Sequence, residues 1–263
     1  MLRGRARRSI RGTIVAGILL ASSAHAQTIA FGGQDWYVRS GDGGPGPNTF
    51  AATNVSLDGA TGYLHLQITH SGSQWSCAEV FTSARLGFGT YEFRIVGRPD
   101  QLDDYVVLGL FDYPTADVGP DTTNEIDIEF ATWGGAQTDH GNWTVWPALL
   151  QGGLTNTTWP YDATLLGNQS THRFTWLPTG IHFESLNGFS DDGSGLYQEW
   201  TFAPPDHAQR IPQQPLPVHM NLWLFQGHTP GNHQDVDIAI AGFRFTPDCL
   251  LANGFDGAAN TCS

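Results

Sequence analysis

The chain has 263 residues, with 12 Lys and Arg against 25 Asp and Glu, and every basic residue is arginine. Only 14% of residues are charged, while Gly (32) and Trp (9) are abundant. That composition excludes a coiled coil, a helical bundle and a disordered acidic tail. A pI near 4.9 argues against nucleic-acid binding through a basic surface. A Gly- and aromatic-rich globular chain of this length suits an all-β fold with a full core.

The first 26 residues predict an export signal. Arg3, Arg5, Arg7, Arg8 and Arg11 precede the apolar run Thr13–Ala21, and Ala24 and Ala26 supply small residues for cleavage. The run is shorter than the ~20 residues needed to span a bilayer. The segment holds five Arg and no acid, so the mature chain keeps seven Arg against all 25 acids. A secreted or periplasmic location is expected, with no membrane attachment after cleavage. The mature chain divides into one domain, 27–246, and a tail, 247–263. Cys249 and Cys262 bracket that tail and can close it, which leaves Cys77 as an odd, buried thiol.

Taken in chain order, period-2 alternation predicts strands at Tyr63–Thr69 and Tyr91–Ile95, with Leu64, Leu66 and Ile68 on one face. Further strands are expected at Tyr105–Phe111, Glu125–Ala131, Trp143–Ala148, His172–Leu177, Ile181–Ser185, Val218–Phe225 and Val236–Phe245. Turn clusters separate them at Gly41–Pro47, Asp112–Asn124, Gly188–Gly195 and Gly227–Asn232. No convincing helix intervenes. The expected fold class is all-β: a jelly-roll β-sandwich in one domain. The spacing Gly41-x-Gly43-x-x-Gly46 has the form of a dinucleotide fingerprint, but Pro45 and Pro47 prevent a helix from opening there.

The segment Asn124-Glu125-Ile126-Asp127-Ile128-Glu129-Phe130 carries the chemistry. On a strand, Glu125, Asp127 and Glu129 share one face, and Ile126, Ile128 and Phe130 take the core face. Three adjacent acids repel each other, so the arrangement is costly unless a site uses it. A solvated edge face or a divalent-cation site are the alternatives. Glycoside hydrolysis uses such a set: one carboxyl protonates the leaving oxygen and another faces the anomeric carbon. An acid between them can tune the proton affinity of either Glu. Trp133, Trp143, Trp146, Trp223 and Phe225 are candidate platforms for sugar rings. Asn221, Trp223 and Phe225 share a face by alternation.

The signature Glu-x-Asp-x-Glu resembles that of glycoside hydrolase family 16. The stretch Cys77-Ala78-Glu79, followed by Gly87 to Phe93, resembles the segment upstream of that strand in bacterial lichenases. Met220-Asn221-Leu222-Trp223 resembles their Asn-Leu-Trp strand, and the likeness spans roughly 31–246. The resemblance implies a concanavalin A-like jelly roll with a concave cleft and a retaining mechanism. It implies Glu125 as nucleophile, Asp127 as assisting acid and Glu129 as acid/base. It also implies Glu79, Trp133, Asn221 and Trp223 as substrate-binding residues. The five-residue signature is similar to that of lichenases and xyloglucan transglycosylases.

The departures from the lichenase pattern lie around the catalytic strand. Phe81 stands in place of a sugar-contacting Arg, and Thr123 in place of a Trp. Asn48 replaces the disulfide partner of Cys77, and Ala241 replaces a calcium-liganding Asp. The resulting expectation is an endo-acting hydrolase of a β-glucan-type polysaccharide, working as a monomer without a cofactor. A transglycosylase with the same residues and a non-catalytic carbohydrate-binding protein are the rivals.

Overall fold

The computed structural model describes residues 27–248. The segment expected to be an export signal, Cys249, Cys262 and nearly all of the 247–263 tail lie outside the described residues.

The described chain is a succession of strands: β1 (Thr28–Phe31), β2 (Gln34–Val38), β3 (Gly41–Gly43), β4 (Asn48–Phe50), β5 (Val55–Leu57), β6 (Leu64–Ser71) and β7 (Gln74–Ser76). Then follow β8 (Ala78–Leu86), β9 (Gly89–Val96), β10 (Val106–Asp112), β11 (Ile126–Phe130), β12 (Gly141–Val145) and β13 (Thr157–Tyr161). The last are β14 (Gln169–Leu177), β15 (Gly180–Asn187), β16 (Leu196–Phe202), β17 (Leu216–Leu224) and β18 (Val236–Pro247). A single-turn helix spans His207–Arg210. No helix among the described residues is long and apolar enough to cross a membrane.

Two eight-stranded sheets make the sandwich. One runs β1-β2-β8-β17-β10-β11-β12-β13; the other runs β16-β15-β14-β9-β18-β6-β5, with β7 beside β6. All strand pairings within both sheets are antiparallel. The core lies where alternation predicts it. Leu64, Leu66 and Ile68 are fully buried, as are Tyr91, Phe93 and Ile95. In the first sheet the inward residues of β17 are the even ones from Leu216 to Leu224, leaving His219, Asn221 and Trp223 on the outer face.

Each of the nine strands predicted by alternation is present, with ends shifted by a few residues. The long strand β8 was not among them. Its sequence AEVFTSARL does not alternate, because Ala78, Glu79 and Val80 are all buried, covered on one side by the core and on the other by a cleft. The edge strands β13 and β16 and the N-terminal hairpin were missed for a related reason: they are short or half-exposed, so little apolar periodicity marks them. Strand β18 passes the expected domain end at 246 by one residue. Gly41–Phe50 forms a hairpin, β3 to β4, rather than a nucleotide loop.

Candidate active site

Strand β11 lies in the interior of the first sheet, between β10 and β12. The edge-strand alternative for its acids is thereby excluded. Ile126, Ile128 and Phe130 are fully buried in the core. Glu125, Asp127 and Glu129 line a cleft of about 740 Å³ on the sheet's outer face. The four substrate-binding candidates, Glu79, Trp133, Asn221 and Trp223, line the same cleft.

The pairing register explains that convergence. One row across the sheet reads Glu79, Asn221, Gly109, Glu129, Asn142 and Pro160. Gly109 is required there: a Cβ at this position would sit 2.5 Å from Asn221 Oδ1. That oxygen is buried without a hydrogen-bond partner among the described residues, beside the acid of the neighbouring row position. A parallel row reads Tyr37, Phe81, His219, Phe111, Asp127 and Thr144. Its first four rings pack side by side, with centroids 5.5, 5.2 and 5.1 Å apart.

The entry to β11 places Glu125. Thr122 and Asn124 adopt positive φ (70° and 51°), which turns the chain into the strand. Asn124 Nδ2 donates to Ala148 O, and the Trp146 backbone N–H donates to Glu125 O at 2.9 Å. Trp146 then returns over the cleft, and its Nε1 donates to Asp127 Oδ2 at 2.9 Å. Tyr113 Oη donates to Asp121 Oδ1 at 2.8 Å at the cleft wall near Glu125.

Asp127 is 3% exposed, and its other oxygen, Oδ1, has no donor among the described residues. Burial pushes its carboxyl well above the usual range, and the charges of Glu125 and Glu129 push it further. Asp127 is therefore the proton holder. Asp127 and Glu125 are neighbours on the cleft face, and a proton on Asp127 shared toward Glu125 lowers Glu125 against the effect of its burial. Burial, followed by the charge of Glu129, pushes Glu125 up to about 8 against the opposing contact with Asp127, so which of the two Glu holds a proton is set by the trio together rather than by either alone. Burial alone pushes Glu129 up to about 7. Such a trio shares its protons and loses them in steps that belong to the group rather than to any one residue.

Glu79 is locked at both oxygens. Arg39 donates to Oε2 at 2.5 Å, and His219 Nδ1 lies 2.9 Å from Oε1. Burial opposes its ionisation, but His219 and Arg39 together hold its carboxyl below the usual value. His219 is itself held between Phe81 and Phe111 at near-parallel angles of 16° and 29°. Arg39, His219, Phe111, Tyr113 and Asp121 were not candidates from the sequence. The outward place of His219 and Phe111 follows from alternation once β17 and β10 are aligned with β11.

Two aromatic expectations need correction. Trp143 is fully buried in the core, because β12 turns Asn142 and Thr144 outward and Trp143 inward. Phe225 lies beyond the end of β17, in a turn, and packs edge-on against Trp133 at 5.5 Å instead of continuing the cleft face. Trp133 has positive φ (56°), a strained backbone that turns the indole toward the cleft beside Trp223.

Cys77 is a free, fully buried thiol, and burial pushes it up to about 12. Its Sγ lies 3.5 Å from Asn48 Oδ1, so an amide occupies the position of the missing disulfide partner. The calcium site that the resemblance would imply does not fit these residues. Ala241 lies at a register shift in β18 and has no side-chain oxygen. No group of three or more His, Cys, Asp or Glu is arranged for a metal among the described residues.

No protein-family model matches the sequence, and no curated protein matches it either. Solved structures do match. The β-glucanase of Bacillus licheniformis is 23% identical, with 81% of this chain and 92% of that one covered and a TM-score of 0.60. A family 16 endo-glucanase from Bacteroides ovatus is 15% identical, with 80% and 94% covered and a TM-score of 0.59. The chain has the fold of these glucanases. An immunostimulatory antigen and pseudo β-1,3-glucanase of Mycobacterium tuberculosis shares this fold as well. It is 21% identical, with 81% and 91% covered and a TM-score of 0.59.

Proposed function

We propose that the chain is an exported, retaining, endo-acting glycoside hydrolase of a β-glucan-type polysaccharide. Glu125 is the nucleophile, Asp127 its assisting acid and Glu129 the acid/base. The observation that carries this reading is the alternation of three carboxyls along the cleft face of an interior strand, with Trp146 Nε1 donating to the central Asp127. Four aromatic or polar candidates for sugar contact line the same cleft.

In the first step Glu125 attacks the anomeric carbon while Glu129 delivers its proton to the departing oxygen, leaving a glycosyl ester on Glu125. In the second, Glu129, now a base, takes a proton from water, and the water displaces Glu125 with net retention. Trp146 and Asp127 hold Glu125 in place throughout. The Arg-rich, apolar character of residues 1–26, read as an export signal, supports a location outside the cytoplasm, where polymeric glucans are met.

Reducing-end release over a panel of β-1,3-, β-1,4- and mixed-linkage glucans tests the class. Hydrolysis with retained configuration is expected. Transfer to an acceptor sugar without net hydrolysis would point to the transglycosylase, and binding without turnover to a carbohydrate-binding protein. The pseudo-glucanase neighbour makes that last outcome worth measuring.

Roles are separated by Glu129→Ala. With an activated aryl glycoside, which needs little protonation of its leaving group, azide should restore turnover and yield the β-glycosyl azide. Glu125→Ala with azide should yield the α-azide, and exchanged anomers would swap the two roles.

The pH profile gives a further check. The acid/base must be protonated for the first step, so activity is present below the Glu129 value and lost above it. With Glu129 pushed up to about 7 inside a trio that shares its protons, kcat/KM should show an alkaline limb falling about tenfold per pH unit, with a midpoint that belongs to the group. The same alkaline limb in Glu129→Ala, assayed with the aryl glycoside, would remove Glu129 from that role.

A further inference from the structure

We propose that Trp159, on the edge strand β13, is a second polysaccharide-binding platform outside the cleft. The proposal rests on the reading of the chain as a polysaccharide-acting protein and adds a site to it.

Of the nine tryptophans, Trp159 alone is exposed, at 49%. Its ring is backed by another. Trp200, on the edge strand β16 of the opposite sheet, lies 6.0 Å away at 15°. The stack continues inward: Trp200 to Phe183 at 5.4 Å and 17°, Phe183 to Trp143 at 5.6 Å and 23°, then Trp143 to Tyr161 at 4.0 Å and 27°. One near-parallel series of rings therefore runs from the buried core to solvent and ends on Trp159. One side of its ring lies against Trp200, and the ring is half-exposed to solvent at the edge of the sandwich.

A half-exposed indole is costly to leave in water, and several occupants could cover it. A second protein copy fits poorly. Trp159 is the one exposed large apolar side chain on β13, beside the polar Thr158, and a single ring is well short of a stable interface. Pro160 has no N–H to give to an added strand, which blunts this edge against pairing. A sugar ring matches the feature, because its axial C–H face is about the size of one indole and its rim of hydroxyls suits the neighbouring threonines.

Position also favours a sugar chain. Pro160 ends the register row that contains Glu129, two strands away through Asn142. At the ~4.8 Å spacing of strands, Trp159 lies about 10 Å from the catalytic strand. Thr158, next to it, faces the cleft side, where its Oγ1 lies 2.9 Å from that of Thr144. Trp159 itself pairs in register with Trp143 and so takes the opposite face of β13, toward the second sheet. A polymer that leaves the cleft and turns around this sheet edge meets its ring, whereas a short oligosaccharide held at the catalytic strand does not.

The test uses the full chain with Glu125→Gln, which removes turnover, and measures retention in gels containing the best soluble glucan. Adding Trp159→Ala or Trp159→Leu should weaken retention about tenfold, the upper range for one aromatic stacking contact. Trp159→Phe should keep most of it. Leu still covers Trp200 but offers no flat ring, so equal retention by the Leu variant and the parent overturns the proposal, provided both melt alike. In the active protein, Trp159→Leu should raise KM for the polymer with kcat unchanged and leave aryl oligoglycoside kinetics alone. A fall in molecular mass on substitution would instead identify a second copy as the occupant. If the Glu125→Gln chain binds no glucan and the parent cleaves none, the proposed function fails together with this site. If the parent binds and the substitutions change nothing, only this site fails.

Discussion

Glu125→Gln is expected to lower turnover of the best glucan by several orders of magnitude, because an amide matches the carboxylate in shape but cannot form the glycosyl ester. The fold should not suffer. Glu125 is raised by burial and by the charge of Glu129, so ionising it at neutral pH costs stability. A raised carboxyl contributes fully below its unfolded value, near 4.3, and that contribution is lost as pH rises toward the folded one. The amide avoids the loss, so at pH 7 the variant should melt at or above the parent temperature. Near-parental hydrolysis in a folded Glu125→Gln protein would overturn the assignment. A collapse of melting temperature would show that Glu125 holds the entry to β11 together rather than serving the cleft.

Asp112→Val should stabilise the protein, and by more as pH rises. Asp112 ends β10 on the core face, opposite Ile126 and Val218, and is fully buried. Neither of its oxygens has a hydrogen-bond partner among the described residues, and burial pushes its carboxyl well above the ordinary range. An uncompensated carboxylate in such a place is among the costliest features a core can hold. Protonated, it is merely an unsatisfied polar group. Its contribution to stability is therefore intact below the unfolded value near 3.9 and is lost progressively up to the folded value. Wherever pH lies between those two values the loss amounts to about 1.4 kcal/mol per pH unit. Valine fits a strand and its apolar neighbours and carries no proton. Denaturant unfolding at pH 5, 6 and 7 should show the gap between variant and parent widening as pH rises. The cleft trio titrates in both proteins and cancels in the difference. A gap independent of pH would mean that Asp112 finds a partner or solvent.

The trio and the residues beside it illustrate what one strand can reveal. Glu125, Asp127 and Glu129 alternate with Ile126, Ile128 and Phe130, so their common face was legible without coordinates, as was that of Asn221 and Trp223. Strand β8 was harder. Both its faces are covered, and a strand covered twice loses the period by which it is recognised. Glu79 was found only because its neighbours resemble a known segment. Trp143 and Trp146 were ranked together as platforms, although their separation of three places them on opposite faces of an extended strand. That difference decides that one packs in the core while the other bonds Asp127.

From its own residues, the sequence determined an all-β sandwich, the inward and outward sets of its main strands and the carboxyls at the chemical centre. These follow from period-2 alternation, which is a local property of an extended backbone. Only the tertiary structure decided which strands stand beside β11. It thereby brought Arg39, Glu79 and His219 into one hydrogen-bonded set, pressed His219 between Phe81 and Phe111, and stacked Trp159 on Trp200 from the opposite sheet. Strand order, register and the closure of one sheet on another join residues many tens of positions apart. No local period records those contacts, because each is set by how whole faces pack rather than by the residues on either side in the chain.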